Sequence, residues 1–413
     1  MKMASIVSGV SLFAAVSAFA ASSVPVVDNV DITQSDSTVK IGYDFTGDAG
    51  IVTLDIQTNT LSDASGNWVS IGIDNFGTNV SGAAFCVVKG TGKKEIKWKP
   101  AKAWPGRFAE KGTIRAHLTA YATNTPPRWM AIPLVINATT KTRFYDREVP
   151  GGITNRIYRT DTILMRKIEV ACMPWTMGNT VSGDSRKHEV VLTEDYYIGI
   201  YEFTRGQAQA GGLTSTEYDA SSAVKPYINV AYSDVRGWDY IYTYNNRKHA
   251  VADASYIGQL RKRTAVPLDL PSEAEWECAA RAGRYGVPEN WEVNIVNKEA
   301  WTGSHVSDVQ EVGTKAPNDW DMYDMLGNCC EFVLDYYGTG LLDPYFASPD
   351  AKVDPHGPAA TEGAKLIMLV GEGVGHTSDY YGLLWSSKKS NYQYYSAVDT
   401  GFRLWAPGIV SWE

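Results

Sequence analysis

The clearest pattern along the chain is alternation. "VKIGYDF" (39–45) and "IVTLDIQ" (51–57) place apolar and polar residues by turns, the period of strands with one buried face. Gly47 and Asp48 lie between them as turn formers. "IRAHLTAYA" (114–122) and "WMAIPLVI" (129–136) repeat the pattern across "TNTPP". Strands at this spacing, without helical periodicity, predict a β-sandwich over residues 22–145. The segment 98–107, rich in Pro and Trp, reads as a packed connection, with ligand binding as the alternative. Pro and Gly then cluster in "REVPGGITN" (147–155), a predicted hinge.

Beyond the hinge the grammar changes. Tryptophans and tyrosines become frequent and long irregular stretches dominate, with no internal repeat. One helix is plain, "LPSEAEWECAARAG" (270–283). Ser272 and Glu275 form a capping box. Trp276, Ala279 and Ala280 make an apolar face, Arg281 suits the negative end of the helix dipole, and Gly283 suits a left-handed stop.

Composition narrows the function classes. The 413 residues suggest two or three domains, and 44% hydrophobic with 20% charged residues is ordinary for a folded protein. A net charge of −8 with no basic block argues against a nucleic-acid partner or an anionic membrane surface. Residues 1–21 carry Lys2, an apolar run from Ile6 to Val16 and a small-x-small site at 18–20, the pattern of a secretory leader. An uncleaved anchor is the other reading, but the run is short for a span. The expected location is therefore secreted, periplasmic or extracellular, and no later stretch could cross a bilayer. The five cysteines, Cys86, Cys172, Cys278, Cys329 and Cys330, are too few and too scattered for a disulfide scaffold.

Four motifs occur in order: "HEVVLTEDYYIGIYEFTRGQ" (188–207), "LPSEAEWECAARAG" (270–283), "VGTKAPNDWDMYDMLGNCCEFVLDYYG" (312–338) and "GFRLW" (401–405). With "PWTMGN" (174–179), this set resembles the sulfatase-modifying-factor family, which includes formylglycine-generating enzymes. The resemblance covers residues 152–410 and implies an α+β fold like a C-type lectin domain, following the mainly β N-terminal module. Family members do several jobs. Some oxidise a substrate cysteine to formylglycine with copper, some form the sulfoxide-synthase domains of ergothioneine pathways, and others only bind.

The resemblance also implies a calcium site at Asp324, Gly327, Cys329 and Glu331. Asp324 would give a side-chain oxygen, Gly327 and Cys329 their main-chain carbonyls, and Glu331 a carboxylate. Calcium takes six to eight hard oxygens, so such a set with water is chemically apt. The alternative is that Asp324 and Glu331 form salt bridges or caps in a loop that packs without metal.

Against copper stands a departure from the family pattern. Copper-dependent members carry two cysteines after a "GGS" turn, ahead of the closing "GFR", because Cu(I) needs soft thiolates. The matching stretch here, 366–403, contains no cysteine, and Gly371-Glu372-Gly373 replaces the turn. The N-terminal module offers one histidine, His117, so the iron chemistry of the ergothioneine enzymes is unsupported too. What remains in this stretch is aromatic. His376, Tyr380, Tyr381 and Trp385 are candidate ligand-binding residues, since aromatic faces with polar handles suit a glycan or a peptide. Core packing in a fold poor in regular structure would use the same residues. The expectation is an exported, non-catalytic binder of a peptide, protein or glycan. An oxidase of cysteine or another thiol with an atypical metal site, and a structural component of a cell-surface assembly, are the alternatives.

Overall fold

The computed structural model describes residues 23–59, 67–100, 112–135, 141–178, 187–237, 251–284, 298–302, 306–337, 352–357, 366–374, 388–392, 396 and 398–412. The alternating segments fold into two antiparallel sheets. In the first, the strands Val26–Ser35, Thr38–Thr46, Gly92–Trp98 and Val80–Gly82 lie in that order. In the second, Gly50–Thr58 is central, paired with Ile114–Ala122 along one side and with Val69–Ser70 and Cys86–Val88 along the other. Ile41, Tyr43 and Phe45 from the first sheet and Val52, Leu54 and Ile56 from the second are buried in one cluster, so the sandwich core forms as the period predicts.

The expected end of this module is corrected by the strand pairing. Trp129–Pro133 and Arg143–Tyr145 do not pair as strands with the sandwich sheets, although Phe144 N donates to Phe85 O at 2.9 Å. They open a five-stranded sheet that continues through Thr162–Ile168, Tyr196–Gly199 and Trp405–Pro407. Thr162 lies opposite Pro133 and Arg166 opposite Trp129. The expected boundary at 145–152 thus falls between strands of one sheet. Ile51 of the sandwich packs in the same cluster as Met130, Ile132 and Tyr197, so the β module and the following unit also share a core.

The rest is α+β with much irregular backbone, in keeping with a C-type-lectin-like domain. A second sheet holds Lys388–Tyr392, Leu366–Val370, Cys330–Tyr336 and Thr400–Phe402, the last pair parallel. Helix Glu273–Arg281 starts at Ser272, whose hydroxyl accepts from Glu275 N while the Glu275 carboxylate accepts from Ser272 N at 2.8 Å. Burial goes beyond the predicted apolar face: every residue from Glu273 to Arg281 is buried. Arg281 pairs with Glu277 one turn earlier at 2.6 Å. The left-handed stop begins one residue before Gly283, at Ala282, with φ 49°. Asn318 finishes the helix from outside: its amide donates to the carbonyls of Ala279 and Ala280, satisfying groups a helix end leaves open. Among the described residues, no helix is long and apolar enough to cross a membrane.

Candidate functional site

The loop Asp321–Cys330 leads into the strand Cys330–Tyr336 and is built on unusual backbone. Asp324, Gly327 and Asn328 all have positive φ, at 54°, 78° and 62°. At Gly327 a side chain is excluded as well: a Cβ there would stand 1.9 Å from the carbonyl oxygen of Trp301. Gly327 N donates to Gly371 O, and Asn328 N to Trp301 O. The loop is thereby stitched to two other segments.

Strand register then sets the charges. Glu331 lies opposite Gly401 in the parallel pair, which brings Arg403, two residues on, alongside the Glu331 carboxylate. Arg403 Nη2 donates to Glu331 Oε1 at 2.7 Å, and Nε contacts both carboxylate oxygens at 3.2 and 3.1 Å. Trp276 Nε1 donates to Oε2 at 2.7 Å. The remaining guanidinium donors go to the carbonyls of Gly199 and Tyr323, both at 2.9 Å. Glu331 and Arg403 are both fully buried.

Two further carboxylates adjoin this pair. Glu202, also fully buried, accepts from Cys329 N at 2.9 Å and from the Asn328 amide at 2.6 Å. Asp324 accepts from Gly313 N at 2.7 Å through one oxygen, while the other is buried without a hydrogen-bond partner among the described residues. Three carboxylates thus face one guanidinium. Burial pushes Glu202 well above the usual carboxylate range, with Asp324 and Glu331 adding to the effect. Burial likewise pushes Asp324 up to about 6, against the opposing pull of the Gly313 N–H and Arg403. The Cys329 thiol is raised well above its ordinary value, chiefly by burial and next by Glu202.

This geometry bears directly on calcium. Of the two charged ligands expected, only Asp324 has an oxygen to spare. Glu331 already accepts from Arg403 and Trp276 through both oxygens, so it would have to abandon a buried guanidinium to reach a cation. The residues present do not fit the expected calcium set. Among the described residues, no group of three or more His, Cys, Asp and Glu side chains is arranged to hold a metal. Glu331 instead makes the salt bridge that the alternative reading allowed.

The sequence singled out Asp324 and Glu331 but left their partners unassigned. Glu202 carries a signal in hindsight, an acid inside the apolar run "YIGIYEF". Arg403 and Trp276 lie within recognised motifs, yet their meeting at Glu331 spans 72 and 55 positions of chain. The candidate ligand-binding residues His376, Tyr380, Tyr381 and Trp385 lie outside the described residues. Of the five cysteines, Cys172 is exposed and Cys86, Cys278, Cys329 and Cys330 are buried.

A family model, the sulfatase-modifying factor enzyme 1-like domain, matches residues 166–406. The formylglycine-generating enzyme of Thermomonospora curvata is 28% identical over 169 residues, covering 38% of this chain and 54% of that protein. The serine/threonine-protein kinase pkn1 of Chlamydia pneumoniae is 34% identical over 116 residues, covering 27% of this chain and 17% of that one. The matches thus span from about a sixth to about half the length of these curated relatives. Among solved structures, PvdO of Pseudomonas aeruginosa aligns with a TM-score of 0.45 at 22% identity, over 59% of this chain and 94% of that one. The Treponema denticola variable protein 1 aligns with a TM-score of 0.45 at 21% identity, over 60% and 95%.

Proposed function

The chain belongs to the sulfatase-modifying factor enzyme 1-like family, and we propose that it serves within that family as an exported, non-catalytic binder of a peptide, protein or glycan. One observation carries this reading: the stretch 366–403, where copper-dependent members carry their two cysteines, contains none. The chain has no cysteine after Cys330. Of the five thiols, Cys278, Cys329 and Cys330 are buried in the core beside the carboxylate cluster and the helix, and Cys86 is buried in the β module. A thiol raised by burial, as at Cys329, gives little thiolate near neutral pH, and thiolate is what holds Cu(I). Cys172 stands on an exposed turn with no second thiol beside it among the described residues.

The ionic cluster fits a structural part in this reading. Arg403 and Glu202 hold Gly199, Tyr323, Asn328 and Cys329 in place, and so fix the loops around the domain's second sheet. The leader at 1–21 supports export. The test is direct. Purified protein is titrated with Cu(I) and offered a cysteine-containing peptide under oxygen, with aldehyde formation read by mass spectrometry. The expected result is less than one equivalent of tightly held copper and no aldehyde. Peptide and glycan arrays probed with the same protein should give a saturable ligand. Catalytic turnover would replace this reading with the oxidase.

A further inference from the structure

The β module contains a cavity of about 270 Å³ that none of the chemistry above uses. One wall is the polar face of the second sandwich sheet. Asp55 of the central strand lies directly opposite His117, and Thr53 opposite Thr119, so these four share a face. The facing wall is Asp146–Glu148, just after the strand Arg143–Tyr145 that opens the next sheet. The cavity thus lies at the seam between the sandwich and the unit that follows, a common place for ligand sites. Ile73 and Phe76 close its apolar side.

The charges of the lining are unbalanced. Asp55, Asp146 and Glu148 contribute three carboxylates, and Arg147 is the one arginine. Arg147 turns outward, 92% exposed, with its Nε at 3.9 Å from Asp146, so it neutralises little. Even with His117 protonated, acids outnumber cations. Arg115, which pairs with Gln57 on the same sheet, spends itself elsewhere: Nε donates to Gln57 Oε1 at 2.7 Å and the guanidinium lies over the Trp68 ring. Among the described residues, Asp55 accepts from neutral donors, Gln57 Nε2 at 2.7 Å and Ser70 Oγ at 2.5 Å. Those bonds aim the carboxylate without cancelling its charge.

We propose that this cavity binds an organic cation, an ammonium or guanidinium group on an aliphatic stem, with the head among Asp55, Asp146 and Glu148 and the stem against Ile73 and Phe76. The volume, at the lower edge of the ~300–1,000 Å³ usual for small-molecule pockets, suits one side chain rather than a folded peptide segment. The cation can come free, as a small amine, or on a lysine or arginine of a polypeptide.

Isothermal titration of the full chain with agmatine, with an acetylated arginine peptide and with a neutral methyl glycoside tests the assignment. Agmatine or the peptide should bind one to one, at least about tenfold more weakly in 500 mM than in 50 mM salt, because screening shortens the reach of the carboxylates. Glu148 is exposed, so Glu148→Gln should leave the melting temperature unchanged and weaken binding by about tenfold. Tighter binding of the peptide than of agmatine assigns the polypeptide source, and the reverse assigns the free amine. Absence of binding by both cations, unchanged affinity in Glu148→Gln, or preference for the neutral glycoside overturns the proposal.

Discussion

Arg403 and Glu331 meet at 2.7 Å with neither side chain exposed, joined across two strands that run parallel. Breaking such a pair from one side leaves an uncompensated buried charge, which costs about 3–5 kcal/mol. Glu331→Ala should therefore unfold at markedly lower denaturant than the wild type. Glu331→Leu combined with Arg403→Met should cost less than the sum of the two single changes, read by a double-mutant cycle in urea.

Chelation gives a separate readout of the same residue. Because Arg403 and Trp276 already fill the Glu331 oxygens, the wild-type melting temperature should be the same with and without a calcium chelator. A fall of several degrees in chelator would show that Glu331 leaves Arg403 for a cation.

Asp324 predicts a pH dependence. Its carboxyl is raised to about 6 in the fold, so between the unfolded value of about 3.9 and 6 the native state binds more protons than the unfolded one. Stability from this group is present at low pH and is lost as pH rises through 6. Asp324→Asn removes that titration. The stability of the wild type relative to Asp324→Asn should therefore fall between pH 4.5 and 7, measured by urea midpoints at each pH.

The helix cap gives a smaller effect. Ser272→Ala removes the hydroxyl that accepts from Glu275 N and should cost about 1 kcal/mol.

Gly327→Ala should be far worse. The added carbon would meet the Trp301 carbonyl at 1.9 Å, and φ of 78° disfavours any side chain. Soluble yield and the near-ultraviolet spectrum should both collapse, whereas Gly90→Ala, where a Cβ meets nothing within 4 Å, should remain folded.

Local chemistry was legible in the sequence where its partners are local. Ser272 and Glu275 are three residues apart, and their reciprocal bonds follow from that spacing alone. Long-range pairing was not legible. Alternation in 129–136 identifies a strand and its buried face, but reads the same whichever sheet receives it, so Trp129–Pro133 could not be assigned to Thr162–Ile168 beforehand. The fate of Glu331 depends on Arg403 and Trp276, which the fold delivers through parallel register and helix packing. An acid three residues after Gly327-Asn328 looks equally apt for a cation or a guanidinium until that register is known.

The strand Thr162–Ile168 is hydrogen-bonded on one side to Trp129–Pro133 and on the other to Tyr196–Gly199. A truncation at the apparent hinge near residue 150 would therefore peel two strands from a finished sheet and leave a naked edge. Such edges recruit other chains. The family domain of this protein is accordingly not a detachable cassette: cut near residue 150, it should clump.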